Sequence, residues 1–102
     1  MITYDQARQF GKAYAGALNT GDAEYAALFA PGADVRLAGA PADPAAVRAT
    51  VPPGRTGFRG AALAAPQVVV RLRVIDRARQ AVDDREHRLI LDDAGRIAAL
   101  EA

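Results

Sequence analysis

A chain of 102 residues, 51% hydrophobic and 25% charged, has the size and composition of a single globular domain. It contains no cysteine and one histidine, His87, which excludes disulfides, thiolate metal sites, cysteine nucleophiles and multi-histidine metal centres. A formal net charge of +1 gives no general attraction to nucleic acid, no apolar run is long enough to span a membrane, and no basic-then-apolar leader is visible. The expectation is a cytoplasmic protein that binds neither membrane nor nucleic acid.

Thr3 and Gln6 fit a capping box, and Ala7, Phe10, Tyr14, Ala17 and Leu18 follow at helical spacing. They predict an amphipathic helix over roughly 4–19. Asn19-Thr20-Gly21 ends it, with Gly21 expected in the left-handed conformation. Asp22 is expected to cap a second helix that runs to about Ala30, buries Tyr25, Leu28 and Phe29, and stops at Pro31-Gly32. Residues 34–37 alternate as a short strand. Asp43-Pro44 offers an N-cap acceptor and a proline at the first helical position, so a two-turn helix over about 44–50 follows, ended by Pro52-Pro53-Gly54. Residues 57–65 read as a further helical turn or as a loop. The glycine-rich run 54–60 has neither the lysine nor the preceding strand of a phosphate-binding loop; it reads as a flap over a pocket with Phe58 at its tip.

Val68, Val70, Leu72 and Val74 alternate with Val69, Arg71, Arg73 and Ile75, which predicts a half-buried strand with a largely basic outer face. Residues 82–91 repeat the pattern, with His87, Leu89 and Leu91 on one face and Glu86, Arg88 and Ile90 on the other. Asp93-Ala94-Gly95 signals a hairpin turn, and residues 96–100 close the chain as a strand. Asp83-Asp84 and Asp92-Asp93 read as turn residues rather than metal ligands. Helices first and meandering strands last imply one α+β domain over 1–102, with the helices packed on one face of an antiparallel sheet.

The run from Tyr14 through Leu18-Asn19-Thr20-Gly21-Asp22, followed by Ala27-Leu28-Phe29-Ala30 and a strand, resembles the opening of nuclear transport factor 2-like domains. The stretch from Leu89 to Ile97 resembles their last hairpin, so the likeness spans roughly 4–38 and 67–101. The resemblance implies a cone-shaped, cystatin-like fold in which a curved sheet wraps a long helix and leaves a pocket. It also implies relatives such as SnoaL-like polyketide cyclases, ketosteroid isomerases, limonene epoxide hydrolases and scytalone dehydratases, alongside non-catalytic binding and dimerisation domains. Tyr14 matches the isomerase tyrosine that donates to a developing enolate. Leu37 stands where those enzymes carry their proton-shuttling aspartate. His87 stands where they carry a protonated acid kept neutral by an apolar site. Steroid double-bond isomerisation is therefore not expected. Arg85, two residues before His87, resembles the strand arginine of the epoxide hydrolases, with Asp34 or Asp83 to supply a carboxylate; a solvated arginine at the strand end is the competing reading.

The resulting expectation is a mostly apolar pocket lined by Phe10, Leu18, Phe29, Leu37, Phe58, Val70, Leu72 and Leu89. Tyr14 would stabilise an oxyanion and His87 would move a proton, without cofactor or metal, in cyclisation, isomerisation or epoxide opening of a small polyketide- or terpenoid-like molecule. The rival is a core tyrosine and a core histidine satisfied within the protein, in a non-catalytic ligand-binding or dimerisation domain. Arg71, Arg73, Arg77 and Arg79 read as the outer sheet face, paired with Glu86 and Asp76, and Val69 and Ile75 on that face suggest a homodimer contact.

Overall fold

In the computed structural model, which describes residues 2–52 and 55–102, the first helix, α1, spans Tyr4–Thr20. Its capping box is formed: the Gln6 amide donates to Thr3 Oγ1 at 3.2 Å and the Thr3 amide to Gln6 Oε1 at 2.9 Å. Its inner face buries Ala7, Gly11, Tyr14, Ala15, Ala17 and Leu18. Gly21 follows at φ 160°, extended rather than left-handed, and the chain turns directly into α2, Asp22–Ala26. Asp22 is the first residue of α2 and not its cap; its carboxylate reaches Arg48 at 2.9 Å.

The second helix is only five residues long, because Phe29 already belongs to a strand, β1, over Phe29–Leu37. Pro31 and Gly32 do not stop a helix. They lie in an irregular stretch of β1, where the register shifts between Phe29 and Asp34 and Gly32 takes φ 74°. A two-residue strand, β2 (Ala40–Pro41), pairs back on β1. Helix α3 (Pro44–Arg48) starts as expected, with Asp43 Oδ1 accepting from the Ala46 amide at 2.8 Å. Of the segment expected to end it, Pro53 and Gly54 lie outside the described residues.

Three long antiparallel strands and a short one complete the chain: β3 (Thr56–Ala64), β4 (Gln67–Asp76), β5 (Ala81–Leu91) and β6 (Ile97–Glu101). Gly54 of the expected flap lies outside the described residues; Phe58 is not the tip of a flap, and residues 57–64 are thus strand rather than helical turn or loop. Their glycines and alanines have little strand preference of their own, but β4 pairs with them from Thr56 opposite Val74 to Ala64 opposite Gln67. Phe58 is half-buried on β3 and packs against Gly11 of α1, where a Cβ would lie 2.6 Å from the Phe58 ring. Asp83 and Asp84 sit within β5 rather than in a turn.

Among the described residues, six strands form one sheet in the order β2-β1-β6-β5-β4-β3, antiparallel except where β1 runs parallel to β6. Tyr14, Leu18, Tyr25, Leu72, Leu89 and Ile97 are fully buried where the helices meet its inner face. The outer face carries Arg71–Glu86 at 3.3 Å and Arg73–Asp84 at 3.0 Å, with Arg79–Asp76 at 3.7 Å in the following turn.

Asn19 joins helix to sheet. Its side-chain amide donates to the Thr56 carbonyl at 2.7 Å and its Oδ1 accepts from the Thr56 amide at 2.9 Å, as a neighbouring strand would. Asn19→Ala leaves both backbone groups without that partner, and a loss of about 1–2 kcal/mol in unfolding free energy is expected by urea denaturation.

Candidate functional site

Three polar side chains meet inside the apolar interior. Helix α1 supplies Tyr14, α2 supplies Tyr25, and β5 supplies His87, whose backbone stands opposite Val70. Their approach follows from local structure: Tyr14 lies on the buried stripe of α1, the tight turn at Gly21 folds α2 back beside it, and strand alternation points His87 inward. The Tyr14 hydroxyl lies 2.7 Å from the Tyr25 hydroxyl and 2.6 Å from His87 Nδ1. Both neighbours meet the Tyr14 ring edge-on, with centroids 5.5 Å and 5.6 Å away.

Burial sets the charge state of this network. Tyr14 is 0% exposed and His87 2%. Desolvation, followed by the neighbouring Tyr25, raises the Tyr14 hydroxyl pKa well above its ordinary value. Desolvation also raises Tyr25, with the hydrogen bond between the two hydroxyls opposing it. His87 moves the other way, down to about 4, through burial and then repulsion from Arg85. All three groups are neutral at pH 7, and the hydroxyls satisfy one another and the imidazole. The arrangement links both helices to β5 through buried polar contacts.

The residues expected to line a pocket mostly fill the interior around this link. Leu18, Val70, Leu72 and Leu89 are fully buried, Phe29 nearly so, and Leu37 and Phe58 pack against them. A cavity of about 890 Å³ lies one layer further out, between the start of α1 and the β3–β4 and β5–β6 turns. Among the described residues, Phe10 alone of that expected set is on its wall, and its ring stacks on Tyr14 with centroids 6.4 Å apart. Ile2, Leu63, Ala65, Pro66, Val68 and Leu91 add apolar lining. Leu91 and Val68 were visible as inward residues at strand ends. Leu63 was hidden because its strand has no β-forming sequence.

Arg85 does share the inner face of β5 with His87, but its guanidinium donates to the Thr50 carbonyl at 2.9 Å and lies 3.7 Å from Asp83. Asp34 pairs with Arg36 at 3.6 Å on β1. A smaller cavity of about 350 Å³ is lined by Arg59, Arg71, Arg85, Asp84 and Glu86, with charges of both signs. No group of three or more potential metal ligands is present among the described residues, and no helix there is long and apolar enough to cross a membrane.

No family model matches the chain, and no curated protein matches its sequence. Solved structures do match its backbone. A de novo designed protein with a curved β-sheet superimposes with a TM-score of 0.75 at 12% identity, over 98% of this chain and 85% of that one. A candidate polyketide cyclase from Sinorhizobium meliloti gives 0.70 at 20% identity, over 98% of both chains. A protein with a ketosteroid isomerase-like fold from Catenulispora acidiphila, solved with trimethylamine, gives 0.62 at 14% identity, over 87% of this chain and 79% of that one. Natural and designed chains of unrelated sequence share this backbone, so the likeness describes architecture and not activity. The helices packed on a curved six-stranded sheet, the order of its strands and these superpositions identify the chain as having the nuclear transport factor 2-like fold.

Proposed function

We propose that the domain binds a small, largely apolar molecule in the cavity at the mouth of the sheet, with Tyr14 and His87 serving as structure and not as acid and base. The observation that carries this reading is the layer of separation: Phe10 lines the cavity and stacks on Tyr14, while the Tyr14 hydroxyl is engaged by Tyr25 and His87 behind it. A volume of about 890 Å³ suits a ring system, and Phe10, Leu63, Val68 and Leu91 offer it apolar surface.

A second reading is proton transfer by Tyr14 and His87 on a polyketide- or terpenoid-like substrate, as in the SnoaL-like enzymes. The 2.6 Å contact between the two groups and the candidate cyclase among the similar structures favour it, and it requires Phe10 to swing aside. Titration with 2-naphthol, read on the methyl NMR signals of Leu63, Val68 and Leu91, distinguishes the two. The binding reading expects shifts at those methyls, little change at Leu72, and the same affinity in Tyr14→Phe. An affinity that falls several-fold in Tyr14→Phe, with Leu72 shifting, favours the catalytic reading.

The outer face supports a homodimer as a separate proposal. Ile75 and Val82 face each other across β4 and β5 at 42% and 58% exposure, beside the Arg71–Glu86 and Arg73–Asp84 pairs. A concentration-dependent dimer is expected in sedimentation equilibrium, and Ile75→Lys is expected to leave a monomer with unchanged far-UV circular dichroism.

A further inference from the structure

Acids and bases are nearly balanced in this chain, 12 against 13, yet the wall of the mouth cavity is one-sided. Asp92 and Asp93, from the β5–β6 turn, are on it, and no lysine, arginine or histidine is among the described residues that line it. Asp92 is held in place, its Oδ1 accepting from the Ala94 and Arg96 amides at 2.9 Å each. Asp93 has no ion-pair partner among the described residues. Two carboxamides, Gln6 and Gln67, share the wall, but their oxygens already accept from the Thr3 amide at 2.9 Å and from Arg88 at 3.4 Å. The carboxylates therefore provide the charge of the rim, and Ile2, Phe10, Leu63, Val68 and Leu91 provide an apolar bed.

We propose that the cavity takes a hydrophobic amine, with its ring or chain on the apolar bed and its ammonium group at Asp92 and Asp93. The inference rests on the cavity-binding reading above and adds the charge class of the ligand. A cation approaching the rim gains from both carboxylates, and a carboxylic acid of the same shape is repelled by them.

Three naphthalene probes that differ in one group test it: 2-naphthylmethylamine, 2-naphthalenemethanol and 2-naphthoate. Dissociation constants come from the methyl NMR signals of Leu63, Val68 and Leu91 in the intact chain. The amine is expected to bind about three- to tenfold more tightly than the alcohol, and the naphthoate most weakly. Asp93→Asn is expected to remove most of that advantage, and Asp92→Asn, which keeps the oxygen that caps the turn, to reduce it further. The alcohol's affinity should be the same in both variants. An alcohol that binds as well as the amine overturns the charge assignment and leaves the cavity reading standing. An amine preference untouched by either substitution places the ammonium elsewhere and also overturns it. Failure of all three probes to shift the mouth methyls overturns the cavity reading itself, and this inference with it.

Discussion

Tyr14→Phe is expected to lower the unfolding free energy by about 2–4 kcal/mol, although it removes a single oxygen atom and leaves the ring in place. The oxygen is the junction of the interior: Tyr25 lies 2.7 Å from it on one side and His87 Nδ1 2.6 Å on the other. Without it, two buried polar groups lose a partner, and each such group costs about 1–3 kcal/mol to leave unsatisfied. Urea denaturation of the wild type and the variant measures the difference. A combined Tyr14→Phe, His87→Leu chain should recover part of the loss, because one of the stranded groups has gone. A change below about 0.5 kcal/mol in the single variant would mean that water reaches His87 readily, and the description of a sealed link would fail.

Acid should act on the same place. In the unfolded chain His87 takes up a proton near its ordinary pKa of 6.5; in the folded protein burial, helped by Arg85, delays this until about pH 4. The unfolded state therefore binds more protons across that window. The contribution is fully present above pH 6.5 and is lost as the pH falls toward 4, by about 3 kcal/mol in all. Arg85, held by Thr50 and Asp83, is the cation nearest this balance; Tyr14 and Tyr25 stay neutral throughout. Stability measured in urea at intervals from pH 7.5 to pH 4 should fall along this curve, and His87→Gln should flatten it while lowering stability at pH 7. A wild-type profile that stays level through the window would show that the folded ring titrates at its ordinary pKa. Carboxylates act further into acid. Asp84, held below the usual range by its hydrogen bond to Arg73, is one of them.

Much of this is legible in the sequence. The capping box and helical spacing of the first helix, and the strict alternation along β4 and β5, placed Tyr14 and His87 on facing inner surfaces. What misled was local sequence compatible with two states. Leu28 and Phe29 suit a helix face and a buried strand equally, and only pairing of Phe29 with Ile97 selects the strand. Pro31-Gly32 reads as a stop but serves as an irregularity inside β1. The segment from Thr56 to Ala64 has no strand signal; its neighbour imposes the conformation. Leu18, Val70, Leu72 and Leu89 sit in the filled core for a related reason. Alternation tells which residues face inward, but not how deep the filled core extends before space opens. The sequence predicts a buried Tyr25, but its contact with the Tyr14 hydroxyl depends on the turn at Gly21, which is extended where the sequence predicts a left-handed residue.

The parallel pairing of β1 with β6 has a bearing on synthesis. Phe29 stands opposite Ile97 and Val35 opposite Leu100, so the strands from the two ends of the chain are neighbours in the body of the sheet. The other side of β1 has only the two residues of β2. A nascent chain that has emerged as far as Leu91 can zip β3, β4 and β5 into hairpins, but it has nothing to join them to β1, and the free side of β5 offers unmet backbone groups to any passing strand. Closing so long a loop is slow compared with forming the hairpins. The interval before Ile97 docks on β1 is therefore when the folding protein most needs a chaperone and is most open to a protease.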